Sequence, residues 1–196
     1  MLLVFGSNGR VYSTVVSGLP SGRGDGQPIT TLIDLETGTQ PAHYFAGAAS
    51  EILLLAGSGG FGLLARAGDL IARQRGGKSF LTLEPSEVPL PPSRVADLTQ
   101  VACLSGSGRL LVFGLDELKL QSNGGRGLTL IDLEANEPLL SVLAFGQALR
   151  VLGTGRGGKP RDELLKGAGL QLHVGKRARK GKALAAPMKA LQLVAA

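Results

Sequence analysis

The chain has 196 residues, 43% hydrophobic but only 4% aromatic and without Trp, and 30 of them are Gly. Its apolar content can bury a core of Leu, Val and Ala, and its Gly content fits many tight turns. No apolar run nears the roughly 18 residues of a membrane-spanning helix, and one Cys with two His excludes an internal disulfide and an ordinary zinc site.

The net charge of +6 is unevenly placed. Residues 1–149 carry 10 Lys and Arg against 13 Asp and Glu, a net of −3, whereas residues 150–196 carry 11 against 2, a net of +9. A basic segment of this kind is an electrostatic footprint for a polyanion, most often nucleic acid. The opening Met1-Leu2-Leu3-Val4-Phe5 is too short for a signal h-region and has no charged n-region. It reads as a strand entered at once, as in a segment cut from a longer cytoplasmic protein.

In chain order, a strand is expected at 2–5, then the turn Ser7-Asn8-Gly9-Arg10 and a second strand at 11–16. A surface loop follows at 19–26, with Gly22-Arg23-Gly24 at its centre. A third strand is expected at 29–35. It contains the start of Thr31-Leu32-Ile33-Asp34-Leu35-Glu36, which returns unchanged as Thr129-Leu130-Ile131-Asp132-Leu133-Glu134, 98 residues on. An exact hexamer at this distance calls for an internal repeat of about half that length. His43, in an apolar stretch, reads as a packing residue.

The second unit has strands at 52–56 and 61–65 around Ser58-Gly59-Gly60-Phe61, and then the loop Arg73-Gln74-Arg75-Gly76-Gly77-Lys78. The hexamer position is worn down to Phe80-Leu81-Thr82-Leu83-Glu84, and a Pro-rich connector occupies 85–92. The third unit has strands at 101–104 and 110–113 around Ser107-Gly108-Arg109. Asp116-Glu117-Leu118-Lys119, the loop 122–127 and the second hexamer complete it. The turn glycines Gly9, Gly60 and Gly108 are spaced by 51 and 48. Glycine turns between apolar runs signal hairpins, and units of about four short strands at this period suggest a propeller. Cys103 reads as buried and inert.

The fourth unit begins with a strand at 149–152 and then departs from the pattern. Gly153-Thr154-Gly155-Arg156-Gly157-Gly158-Lys159 matches a nucleotide-binding P-loop, but Pro160 stands where the magnesium-binding hydroxyl belongs. A basic excursion is expected instead. A strand-like run at 170–174, the basic run Lys176-Arg177-Ala178-Arg179-Lys180-Gly181-Lys182 and an apolar segment at 184–193 finish the chain. The paired acids Asp116-Glu117 and Asp162-Glu163 read as solvated, and no nucleophile–base–orienter constellation emerges.

Several strings carry a family resemblance. They are Gly9-Arg10-Val11-Tyr12-Ser13-Thr14 followed by Leu19-Pro20-Ser21-Gly22-Arg23-Gly24-Asp25-Gly26-Gln27-Pro28, then Gly60-Phe61-Gly62 with Asp69-Leu70-Ile71-Ala72-Arg73 and Gly76-Gly77-Lys78. Gly108-Arg109-Leu110-Leu111-Val112-Phe113 with Asp116-Glu117-Leu118 and His173-Val174-Gly175-Lys176-Arg177 continue the series. In order and spacing the chain resembles the C-terminal domains of bacterial type IIA topoisomerase A subunits, more topoisomerase IV than gyrase. The resemblance implies an all-β fold, a β-pinwheel or broken β-propeller of about four blades, each of about four antiparallel strands. One domain over 1–196 is expected, with approximate blades 2–49, 50–99, 100–147 and 148–196 and with the family's first blade and catalytic core upstream.

The implied function is non-catalytic binding and bending of double-stranded DNA on the blade rims, presenting it to the catalytic core of the same polypeptide. An ATPase subunit (ParE-like) would complete the enzyme. No cofactor is expected for this domain, Mg2+ and ATP being used elsewhere in the parent enzyme, and no membrane partner. The location expected is cytoplasmic, on the nucleoid. Candidate phosphate contacts are Arg23, Arg73, Arg75, Lys78, Lys119, Arg126, Arg156, Lys159, Lys176, Arg177, Arg179, Lys180 and Lys182. The gyrase box Q-R/K-R-G-G-R/K-G is one basic residue short in Gln74-Arg75-Gly76-Gly77-Lys78-Ser79, which implies weaker bending than gyrase wrapping. The competing reading is a protein-interaction propeller, which the acidic balance of residues 1–149 allows.

Overall fold

The chain is a row of short antiparallel hairpins, seen in a computed structural model that describes residues 1–20, 22, 24–185 and 188–196. The first repeat supplies β1 (Leu2–Gly6), β2 (Arg10–Thr14) and β3 (Pro41–Ala46). The second supplies β4 (Ile52–Ala56), β5 (Phe61–Arg66), β6 (Lys78–Ser79) and β7 (Ser93–Arg94). The third supplies β8 (Gln100–Ser105), β9 (Arg109–Gly114), β10 (Leu128–Thr129) and β11 (Leu139–Phe145). The fourth supplies β12 (Ala148–Thr154), β13 (Pro160–Lys166), the helix α1 (Gly167–Gln171), β14 (Lys182–Ala183) and β15 (Lys189–Ala195).

Four sheets result, ordered β3-β1-β2-β6, β10-β5-β4-β7, β11-β8-β9-β14 and β13-β12-β15. Each is founded on a hairpin whose two strands follow one another in sequence, turning at Gly9, Gly60 or Gly108 in the first three. The third strand returns from the same repeat onto the first hairpin strand. The fourth strand comes from the next repeat. Val11 pairs with Lys78 and Arg10 with Ser79, Gly62 with Leu128 and Phe61 with Thr129, Leu110 with Lys182 and Arg109 with Ala183. The sheets of four strands are therefore shared between neighbouring repeats, and the last sheet has three strands among the described residues.

Several local expectations are corrected. Residues 29–35 are not a strand: Ile29–Thr31 is a 3-10 turn and 32–36 has no ladder. Within the second hexamer only Thr129 is in a strand. The physical reason is packing: the hexamer side chains fill the space against hairpin faces, Ile33 on Val4 and Tyr12 and Leu130 and Ile131 between two sheets, rather than lining a ladder of their own. The strand-like run at 170–174 begins instead inside α1, and only Val174 bridges to Val112. Asp116 and Glu117 lie in a 3-10 turn rather than a strand, and the Glu117 carboxylate accepts the Arg177 amide at 3.0 Å. Asp162 pairs with Arg150 at 2.8 Å, and Oε2 of Glu163 is buried without a hydrogen-bond partner among the described residues.

The segments at the hexamer positions pack against hairpin faces, two of them as wedges between sheets. Phe80 and Leu81 pack between the first two hairpins, with Leu3, Phe5 and Val11 on one side and Leu53, Leu55 and Leu63 on the other. Leu130 and Ile131 do the same between Leu54 and Leu64 of the second sheet and Val101, Leu111 and Phe113 of the third. Ile33 covers Val4 and Tyr12 on the far face of the first sheet. Leu184 and Met188 fill the gap between the third and fourth sheets. Burying such side chains stabilises by about 1.5–3 kcal/mol each, so the layer between sheets, rather than the short ladders, holds the row together.

The inner edges are stapled by hydroxyls. Ser93 Oγ accepts the Ala144 amide at 2.9 Å, and Ser141 Oγ accepts the Leu193 amide at 3.1 Å, both buried. His43 Nε2 lies 2.9 Å from the Pro89 carbonyl, joining the first repeat to the second. His43, Phe45, Ser93, Arg94, Ala144 and Ala195 border one shared hollow. The edges formed by β3, β7, β11 and β15 thus converge, which leaves β6, β10 and β14 on the outer edge.

Candidate nucleic-acid interface

The outer edge carries three lobes of the same construction. The incoming chain first bonds to the second hairpin strand of the preceding repeat. Ala72 meets Ser13 Oγ through its amide at 3.0 Å and its carbonyl at 3.1 Å. The Leu64 amide donates to Lys119, and the Gln121 amide donates to Leu64 at 2.8 Å. Val112 exchanges the same two bonds with His173 and Gly175, at 2.9 and 2.8 Å. The chain then bulges outward and returns as β6, β10 or β14. The bulge is tied to the hexamer level below it, where Asp34, Thr82 and Asp132 donate their amides to the carbonyls of Arg75, Gly125 and Arg179 at 3.0, 3.0 and 3.1 Å.

The glycine that closes each lobe is required by this docking. Gly77, Gly127 and Gly181 have φ of 65°, 81° and 71°. A Cβ would lie 2.7 Å from the Val11 carbonyl at Gly77, 2.7 Å from Leu110 at Gly181, and in collision with the Gly62 carbonyl at Gly127. Only Gly accepts that backbone and that approach together.

In the first lobe Arg73 is exposed, and among the described residues it makes no ion pair. Arg75 is exposed but held, its guanidinium 3.2 Å from Asp34 and 2.8 Å from the Thr31 carbonyl. Lys78 is half-buried, with Nζ on the Asp69 carbonyl and 5.4 Å from the Phe80 ring centre.

In the second lobe Lys119 is exposed, whereas Arg126 lies between Glu84 at 2.9 Å and Glu87 at 2.8 Å, stacked 4.2 Å over Phe61. In the third lobe Lys176, Arg179 and Lys182 are exposed. Arg177 is half-buried with its guanidinium on the Thr129 carbonyl. Lys180 pairs with Glu134 at 2.7 Å, and that partner raises the lysine's pKa. Arg156 and Lys159 stand exposed on the β12–β13 turn, apart from the lobes. Arg23 lies outside the described residues.

Two residues that sequence reasoning passed over belong to this edge. Arg10 and Arg109 occupy the same register, opposite Ser79 and Ala183. Arg10 donates to the carbonyls of Gly76 and Gly77 at 3.0 Å each, so it braces the first lobe from beneath. Arg109 is near enough to Lys180 to oppose its positive charge. The signal was present in Gly9-Arg10 and Gly108-Arg109, where the same pair follows two hairpin turns.

The P-loop string has the wrong geometry for a nucleotide. Thr154 pairs with Pro160, and the Gly155 amide donates to the Lys159 carbonyl at 2.8 Å, so residues 155–159 turn one strand into the next with no helix after them. Cys103 is fully buried, and burial pushes its thiol well above the usual range. Among the described residues, no group of three or more His, Cys, Asp and Glu could hold a metal ion.

Repeats of hairpins that share strands with their neighbours, in an open row with converging inner edges, define a β-pinwheel of the broken-propeller class. The sequence model of the family described as "DNA gyrase C-terminal domain, beta-propeller" matches residues 1–36 and 99–145. The chain belongs to the family of C-terminal domains of the A subunits of gyrase and topoisomerase IV. It is 32% identical over 178 residues to the A subunit of DNA topoisomerase 4 from Neisseria gonorrhoeae, an alignment covering 87% of this chain and 23% of that protein. It is 31% identical over 186 residues to the Haemophilus influenzae protein of the same name, covering 91% and 24%. Among solved structures it resembles the Escherichia coli ParC C-terminal domain, with a TM-score of 0.87 and 26% identity over 98% of this chain and 80% of that one. The chain spans about a quarter of the length of these two curated relatives. Among the described residues no helix is long and apolar enough to cross a membrane.

Proposed function

We propose that this domain binds and bends double-stranded DNA along its outer edge. It does so without catalysis of its own, within the A subunit of a topoisomerase IV that works on the nucleoid in the cytoplasm. The supporting observation is that unpaired cations of the first and third lobes, Arg73, Lys176, Arg179 and Lys182, project from one edge of the row. The bent segment would be passed to the catalytic core of the same polypeptide. An ATPase subunit (ParE-like) would drive decatenation and relaxation, with Mg2+ and ATP bound elsewhere in that enzyme. Phosphate contacts give affinity without sequence preference and with strong salt dependence. The short basic box at 74–79 favours modest bending over gyrase-like wrapping.

The test is duplex affinity measured against salt. The plot of log affinity against log salt falls linearly, and each phosphate contact removed makes the slope shallower by about 0.9. The variants Arg73→Ala, Lys176→Ala and Arg179→Ala should weaken binding for all sequences alike. An affinity independent of salt would sink the reading. The acidic balance of residues 1–149 supports one alternative, a protein-interaction propeller. Retention of a protein partner after DNase treatment, with no duplex binding at low salt, would favour it.

A further inference from the structure

The three lobes are alike in backbone and unlike in charge. The first and third each present exposed cations without an ion-pair partner among the described residues. The second has exposed Lys119 where the lobe begins, also without an ion-pair partner among the described residues, but its one guanidinium, at the apex, is occupied. Arg126 meets a carboxylate on two sides, and the Phe61 ring closes its third side. Its side chain is 30% exposed, and that of Glu87 only 12%.

The clamp is built into the fold. Glu87 receives the Glu84 amide on its other oxygen at 3.0 Å, so the carboxylate is fixed by the turn before Arg126 reaches it. Gly59 makes room for it, since a Cβ there would collide with the Glu87 carboxylate. The third repeat has the same fixed turn: Glu137 takes the Glu134 amide at 3.0 Å. There, however, the second carboxylate oxygen receives the Ser107 amide at 2.8 Å instead of a cation.

We infer that Glu84 and Glu87 withdraw Arg126 from the phosphate-binding edge, so that the apex of the second lobe takes no phosphate and DNA is gripped chiefly at the first and third lobes. This rests on the DNA-binding reading above. A phosphate reaching Arg126 must displace one or both carboxylates and meet their charge, whereas Arg73 and Arg179 are free to receive one. Lobe two then contributes spacing, shape and no more than the contact of Lys119, and the two grips set the span of DNA held.

The experiment is duplex affinity against salt for the full chain, with four variants compared with the parent. Arg73→Ala should flatten the log–log slope by about 0.9. Arg126→Ala should leave the slope unchanged while lowering thermal stability. The double variant Glu84→Gln/Glu87→Gln should steepen the slope by about 0.9, and adding Arg126→Ala to it should cancel that gain. Circular dichroism checks that each protein is folded. Should the double variant misfold, Glu84→Gln alone, whose side chain is 63% exposed, should still strengthen binding, and this gain too should vanish when Arg126 is removed. If Arg126→Ala flattens the slope as much as Arg73→Ala does, the inference is overturned while the DNA-binding reading stands. If none of the proteins binds duplex DNA, the DNA-binding reading itself fails.

Discussion

Gly76 and Gly77 are adjacent and look alike in sequence, yet only one is required. A Cβ on Gly76 meets nothing within 4 Å, whereas on Gly77 it meets the Val11 carbonyl and the Tyr12 ring. Gly77→Ala should therefore cost about 1–3 kcal/mol and Gly76→Ala within about 0.5 kcal/mol of nothing, measured by chemical denaturation. What Gly77 admits is the neighbouring hairpin. Glu137 makes a second residue-scale case. Partial burial works against its charged form, but hydrogen bonds from Ser105, from Ser107 and from the amide of Glu134 outweigh it and hold the carboxyl down at about 2. Because the folded pKa is depressed, the stabilisation is complete above the ordinary 4.5 and is lost as pH falls towards 2. Glu137→Gln should lower stability at pH 7 by about 1 kcal/mol, an amount discounted for its partial exposure. It should also flatten the fall in stability between those two pH values.

At the scale of elements, the hexamer was plain in the sequence but its structure was not. Leu-Ile-Asp-Leu-Glu reads as a strand because its apolar residues could line a sheet face. Ile131 is instead 1% exposed between two sheets, and beyond Thr129 its segment has no ladder. Ile131→Ala should cost about 2–5 kcal/mol on thermal or chemical unfolding. Hairpin turns were legible because Gly9, Gly60 and Gly108 mark them locally. The swapped strands were not, since Lys78-Ser79, Leu128-Thr129 and Lys182-Ala183 have no common pattern and find their partners in another repeat. Ser93 and Ser141 gave no signal either, because a lone Ser in a strand acquires meaning only when the next inner strand lies beside it. Ser141→Ala orphans the Leu193 amide and should cost about 1–3 kcal/mol by the same measurement.

At the scale of the whole molecule, the basic lobes could be located from composition, but their unequal availability could not. Arg126 is 42 residues from Glu84 and 39 from Glu87, and the row of sheets is what brings them together. The same row predicts graded stability. A chain ending after residue 175 would lack β14 and β15, and amide exchange should rise in the third sheet while the first sheet, two sheets away, keeps its protection. Sharing strands also ties folding to the order of synthesis. When Val11 leaves the ribosome, its partner Lys78 has not yet been made, and Leu110 must likewise wait for Lys182. Each nascent hairpin emerges with a bare outer edge and closes only when the following repeat arrives. Translation pauses between repeats would therefore prolong the life of an aggregation-prone edge, and the repeat still to come serves as the chaperone of the one before it.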